Sequence, residues 1–275
     1  MRAWPALIVC CLGAAVLAGE RKPASRGVLS EHEIERIVML GPQQQAEWLL
    51  ERVVNRYEGA HAMLMRLAPG WQGRIRLDEK LNALLDAAYN SSELSIRDAA
   101  IEVTLAGRNT ARTADTVDAL DRAIAEGTGD QAWNLWTLGM LGRRGVETGR
   151  VRQILADRLR DPTTGTRYWA VKALALLGSD KDMAYLLWVF RNDSDPGVRE
   201  RAACSVAESG MFSRQQRYAA IPELLRMMDD PGIDSETRNW VFQALRDVSG
   251  QGFRSSPADW HDWYGREPRR QGSQN

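Results

Sequence analysis

Val198-Arg199-Glu200-Arg201-Ala202-Ala203 is one of five related segments between residue 97 and the C-terminus. Each copy sets an Arg, once a Gln, ahead of small or apolar residues three, six and seven positions later, and closes at ten. Arg199 leads to Ala202, Ser205, Val206 and Ser209; Arg167 to Ala170, Ala173, Leu174 and Leu177; Arg238 to Val241, Ala244, Leu245 and Val248. Arg97 leads to Ala100, Val103 and, slightly early, Gly107, and Gln131 to Thr137, Leu138 and Leu141. Offsets of three, six, seven and ten fall on one stripe of a helix with 3.6 residues per turn. Successive anchors lie 34, 36, 32 and 39 residues apart. A helical unit recurring at that period predicts a stack of similar units, each burying its apolar stripe against its neighbours.

Around these anchors the periodicity predicts helices in pairs, 77–89 with 95–106, 113–126 with 130–141, 149–160 with 166–177, 181–191 with 197–209, and 216–228 with 235–248. Three of the turns between partners carry Asp-Pro, at Asp161-Pro162, Asp195-Pro196 and Asp230-Pro231. Proline fixes φ without needing a donor, and aspartate accepts from the free amides of a helix start, so the dipeptide suits a tight turn between antiparallel helices. Upstream, Ser30 with Glu33 has capping-box spacing, and Gly41-Pro42 places proline at the first position of a further helix. No strand-like alternation of useful length appears. The expected architecture is all-α: an N-terminal helical segment over 30–75, about five stacked helix pairs over 76–250 forming an α-α superhelix, and a short C-terminal capping helix within 251–264. Trp260, Trp263 and Tyr264 on that last helix are suited to covering the open end of the stack. Residues 265–275 are polar and expected to be disordered.

Composition bounds the class of function. Lys and Arg number 36 against 36 Asp and Glu, so the formal net charge is zero, which argues against a polyanionic partner such as nucleic acid. Arg2 precedes an apolar run over 6–17 that ends in small residues, the layout of a secretory leader with cleavage after Ala18 or Gly19. That run is short for a membrane span. Residues 1–19 therefore read as a signal peptide and 20–29 as a flexible tether; membrane contact is expected only if the leader is retained as an anchor. Cys10 and Cys11 lie in the leader, leaving Cys204 alone and no internal disulfide possible in the mature chain.

The Asp-Pro-x-Val-Arg turn, followed by alanine-rich helices with leucine at the anchors, resembles the HEAT-repeat family over roughly residues 76–250, most strongly over 150–250. The resemblance implies helix pairs wound into a right-handed superhelix, the second helix of each pair lining the concave side. It also implies a ladder between neighbouring repeats built from the turn Asp and the following Arg, here Asp161 with Arg167, Asp195 with Arg199 and Asp230 with Arg238. The second unit departs from that pattern, with Gln131 at the anchor and Gly129-Asp130 at the turn. The chain is also similar to exported bacterial HEAT-repeat proteins.

Convergent reactive groups are missing from the sequence. His32, His61 and His261 lie outside the repeats, no two share a metal-ligand spacing, and no phosphate loop follows a strand. No cofactor and no catalytic residue is therefore expected. One pattern stands out: two positions after each anchor come Ala99, Trp133, Trp169, Arg201 and Trp240, with Trp136 one turn beyond Trp133. The +2 position lies about 100° from +3 and level with +9 on the helical wheel. Two readings fit, tryptophans packed between repeats or an aromatic row with Arg201 forming a peptide groove. The function that follows is non-catalytic binding of a protein or peptide outside the cytoplasm, by the concave face of residues 97–250. The alternatives are a membrane-tethered assembly factor and, last, a HEAT-type glycosylase or lyase.

Overall fold

The helices begin where short polar side chains can cap them. In the computed structural model, which describes residues 26–266, Ser30 and Glu33 close a reciprocal box at the start of α1 (Glu31–Met39), and Pro42 opens α2 (Pro42–Val54). The N-terminal segment continues through α3 (Ala60–Leu67) and a 3₁₀ turn at Ala68–Trp71. Five helix pairs follow: α4 (Glu79–Tyr89) with α5 (Leu94–Gly107), α6 (Ala114–Ala125) with α7 (Gln131–Arg143), and α8 (Thr148–Arg158) with α9 (Thr164–Leu177). Next come α10 (Asp180–Asn192) with α11 (Pro196–Cys204), the latter continued by a π turn at Ser205–Ser209. The fifth pair sets α12 (Arg214–Ala219) and α13 (Ile221–Asp229) against α14 (Ser235–Ser249), and α15 (Pro257–Arg266) ends the array. The chain is an all-α, solenoid-like fold.

Two details of the turns differ from expectation. Of the three Asp-Pro aspartates only Asp195 caps its helix, accepting from the Val198 amide at 3.1 Å. Asp161 and Asp230 instead accept from the amides two residues on, Thr163 and Gly232, and so tighten the turn ahead of the helix. The helix expected over 216–228 is split into α12 and α13, because Pro222 has no amide to give and its ring crowds the carbonyl four residues back.

Second helices α7 and α9 pack closely and in parallel. Gly139 backs onto the Ala173 backbone and Gly142 lies beside Leu177, a nearly constant offset. The next unit follows in the same sense: α9 ends at Gly178, φ +72°, where an added Cβ would lie 2.1 Å from the Met211 carbonyl, and the Met211 amide donates to the Ala175 carbonyl at 2.7 Å. Leu138, Leu174, Val206 and Leu245, one from each of these second helices, belong to one continuous core.

The first pair departs from this stack. Asp98, near the start of α5, is held by Arg143 at the end of α7 through Nε and Nη2 at 3.0 and 3.1 Å. Arg108, past the end of α5, lies 4.6 Å over the Trp133 ring at the start of α7. α5 thus runs antiparallel to α7. It is buried all round: Ile101 and Leu105 join the repeat core, while Ile96, Ala99, Ala100 and Val103 join a second core with α2, α3 and α4. A helix apolar on every side is the signature of one enclosed between two layers.

At the N-terminal edge the tether expected over 20–29 is pinned in its last residues. Gly27-Val28 pairs in parallel with Tyr57-Glu58, the Leu29 amide donates to the Glu58 carbonyl, and the Leu29 side chain is buried. The expected leader over 1–19, and the tail beyond Arg266, lie outside the described residues. At the other end Trp260 and Trp263 of α15 enter the repeat core, Trp263 edge-on to Tyr218 and Trp260 5.1 Å from Phe253, while Tyr264 stays exposed.

Candidate functional site

The +2 stripe does not form a single row. Trp133 is separated under Arg108, and Trp240 packs partly buried at the margin of the core, away from the other rings of the described residues. Trp136 and Trp169 do meet, edge to face at 6.3 Å, because parallel packing of α7 on α9 sets them in register. Tyr89, reaching in from the end of α4, stacks edge-on to Trp136 at 5.9 Å. Its hydroxyl pairs with Thr104 at 2.8 Å, and burial raises its pKa. The aromatic cluster is therefore closed on one side by the first helix pair and continues toward Tyr168 on the other, 6.0 Å from Trp169.

Sequence reasoning missed the centre of this cluster. Lys172 places its ammonium 4.0 Å from the Trp169 ring, 5.3 Å from Trp136 and 5.9 Å from Tyr168. No carboxylate of the described residues lies within 4.0 Å of it. Burial, reinforced by the Arg201 charge, lowers its pKa to about 8. Arg201 is likewise without a carboxylate: one Nη donates a long bond to Ser209 at 3.4 Å, and its Nε is buried with no partner. Lys172 and three rings thus share one partly buried place, with the Arg201 charge near enough to act on the ammonium. The signal was available, since Trp136 and Lys172 both stand five positions after their anchors, on the same wheel stripe as +2 and +9.

The +9 positions of the next units carry the opposite sign. Glu208 follows Arg199 by nine and Asp247 follows Arg238 by nine. Burial first, and then the Glu208 charge, raise Asp247 to a pKa of about 6, against a bond accepted from Gln243 at 2.7 Å. Because the folded-state pKa is raised, Asp247 costs stability fully above pH 6, and the cost vanishes below its ordinary value near 3.8. Asp247→Asn is therefore expected to raise the unfolding free energy by on the order of 1 kcal/mol at pH 7.5, after allowance for solvent screening. In pH-resolved denaturation that gain should shrink to nothing as pH falls toward 4, the unperturbed aspartate range.

The ladder residues are placed differently from the pairings the resemblance implied. Arg167 does not bind the Asp161 carboxylate. It donates to the Asp161 carbonyl at 3.0 Å and grips the Asp193 carboxylate of the next turn through two bonds, at 2.9 and 3.0 Å. Arg199 does not pair with Asp195, which caps α11; it reaches the Asp193 carbonyl, Thr237 and Asp234. Arg238 donates to the Asp230 and Ile233 carbonyls, while the Asp230 carboxylate is taken by Arg191. Each of Arg167 and Arg199 so ties its own turn's backbone to an aspartate of the following unit. A guanidinium's fork satisfies both at once, which a carboxylate of its own turn would preclude. Gln131 keeps only the local half, donating to the Thr128 and Ala123 carbonyls.

Where α5 meets the ends of the second helices, a charged seam forms. Arg144 lies 2.7 Å from the buried Glu102 carboxylate, which Arg112 also contacts, and Arg97 donates 2.6 Å to the Ser209 carbonyl. His61 sits within the field of Asp98, Arg144 and Glu102, its pKa lowered chiefly by burial. Arg143 and Arg144 tie the end of α7 to Asp98 and Glu102 of α5, which makes the seam a joint between two units.

The units in parallel register are those a family comparison detects. Residues 122–207 match the family model of HEAT repeats. No curated protein matches the chain. The HEAT match covers the segment from the last turn of α6 into the π turn, which holds Trp136, Trp169, Lys172 and Arg201. HEAT repeats are in general protein-interaction scaffolds and typically non-catalytic.

Proposed function

We propose that the protein is a non-catalytic scaffold that binds a protein or peptide outside the cytoplasm through its second-helix face. The observation that carries this reading is the Trp136–Trp169–Lys172–Arg201 cluster, where two cations stay unpaired by any carboxylate among the described residues. Holding an ammonium in a place that lowers its pKa from 10.5 to about 8 costs roughly 3 kcal/mol at neutral pH. The ring contacts offset part of that cost, and a partner's acidic group would complete the site by supplying the carboxylate that the described residues do not. The flanking rings supply apolar area for the residue beside that group. The leader-like pattern over residues 2–19 supports the compartment, and the balanced net charge favours a polypeptide partner over nucleic acid.

The sign of the Lys172 effect makes the reading testable. With the folded pKa depressed, the penalty is fully present below pH 8 and fades as pH rises through the unfolded value of 10.5. Lys172→Met is expected to raise the denaturation midpoint at pH 7. The same variant, titrated against a peptide array by tryptophan fluorescence, should lose about tenfold in affinity for peptides carrying a carboxylate beside an apolar residue. Wild-type affinity for those peptides should also fall as pH passes 8. Lys172→Met binding the array as wild type does would refute the proposal. So would Trp169→Ala losing affinity only in step with lost folding.

A further inference from the structure

The first-helix layer carries a second feature that the second-helix face does not use. Between α8 and α10, helices of consecutive units, runs a groove of about 290 Å³ floored by Ala156 and Leu159. Its walls expose two aromatics, Trp188 at 45% and Tyr185 at 36%. Exposed large apolar side chains are commonly scattered singly, but two rings one turn apart over an apolar floor form a contiguous patch. Both charged residues on its rim are cations, Arg160 and Lys181. Arg160 stacks over the Trp188 ring at 5.6 Å, and among the described residues no carboxylate lies within 4.0 Å of either cation. The acids adjoining them in sequence are engaged elsewhere: Asp157 accepts from Gln153, Asp161 from Thr163, and Asp180 from Gln216.

We propose that this groove docks an acidic amphipathic segment of a partner protein. An apolar side chain of that segment lies along Leu159 between Tyr185 and Trp188, and its carboxylates meet Arg160 and Lys181. Charge complementarity selects the occupant, because a basic or neutral segment would leave both cations facing like charge or nothing. A site on the first-helix layer, apart from Lys172 and Trp169 on the second, makes the protein an adaptor able to hold two partners at once. Docking on the apolar walls is expected to be short-range and modest in affinity, with the rim charges governing its rate and its salt dependence.

The test uses the full chain and a short blocked peptide in which Leu and Phe are flanked by Glu, with a Lys-for-Glu peptide as its control. The Glu peptide should shift the Trp188 indole resonance, bind less tightly as salt rises, and lose at least about tenfold in affinity to Arg160→Glu/Lys181→Glu. Trp188→Ala should weaken it as well, read at Tyr185; because the Lys172 cluster takes peptides of the same chemistry, occupancy of the groove is followed at Trp188 and Tyr185 and not as total binding. The Lys peptide should not bind at this groove. Equal binding of both peptides, or a response at Trp169 in place of Trp188, overturns the proposal. Concentration-dependent dimerisation abolished by Trp188→Ala also overturns it, by assigning the groove to a second copy of the chain.

Discussion

Arg217→Met will cost roughly 3–5 kcal/mol of unfolding free energy in chemical denaturation, although no ion pair is broken. Arg217 is a buried arginine whose partners are all backbone carbonyls: Nε reaches Phe212, Nη1 reaches Ser205 and Val206, and Nη2 reaches Glu208 at 2.8 Å and Gly210. The regular helical bonding is interrupted there because α11 loosens into a π turn at Ser205–Ser209: the Ser205 carbonyl still accepts from the Gly210 amide at 3.0 Å, the Glu208 carbonyl takes a long bond from Arg97, and the Ser205 and Ser209 hydroxyls bond back to Arg201 and Cys204. A guanidinium can satisfy five acceptors in one plane and also meets the negative end of the helix dipole. Burial, then the neighbouring Arg97, lowers its pKa to about 10, so it remains charged at neutral pH. Methionine has a similar size but donates nothing, which leaves the carbonyls of the buried residues Val206, Gly210 and Phe212 without their guanidinium donor. Lysine should not rescue the fold, since one ammonium cannot span them. Amide exchange should speed up first over residues 205–212. A variant within about 0.5 kcal/mol of wild type would show that water takes over those carbonyls.

That hub marks the limit of what the chain's sequence discloses. Local chemistry was legible: Ser30 with Glu33, Pro42 and Asp195 begin helices where short-range capping rules place them, and the five pairs follow from the stripe at three, six, seven and ten. Partners far apart in sequence were not. Arg97 fits the repeat pattern as well as Arg167 does, yet it binds Ser209, 112 residues away, because α5 is turned antiparallel to α7. Nothing in a helical wheel records which way a helix runs against its neighbour. The partners within the ladder were not legible for a related reason. An arginine in a turn can meet carboxylates of two units, and here the Asp161 carboxylate is taken by the Thr163 amide while Arg167 takes that of Asp193. The site was half visible for a different reason. The +2 positions drew attention through their tryptophans, whereas Lys172 has no meaning until Trp136 and Trp169 are known to flank it.

The distance between α7 and α9 governs both stability and the candidate site, and Gly139 sets it. A Cβ at Gly139 would stand 2.6 Å from the Ala173 carbonyl oxygen and 2.9 Å from its Cα, contacts that only a shift of one helix can relieve. Helix propensity alone favours Ala over Gly by about 1 kcal/mol. Gly139→Ala is nevertheless expected to lose about 1–3 kcal/mol, and Gly139→Val more, because backbone cannot move aside as a side chain does. Pushing the helices apart opens the packing around Leu138, Ala170 and Leu174. It also separates Trp136 from Trp169, which lie one turn toward the N-terminal ends of the same pair of helices. Peptide affinity should therefore fall in Gly139→Ala even at temperatures where the variant is fully folded by circular dichroism. Gly149 provides the matched control: it lies in the first turn of α8 with nothing within 4 Å of an added Cβ. Gly149→Ala should be neutral or stabilising by up to about 1 kcal/mol and leave binding unchanged. Equal behaviour of the two alanine variants would mean that α7 and α9 can separate freely, and that close approach at Gly139 does not hold the tryptophan pair in register.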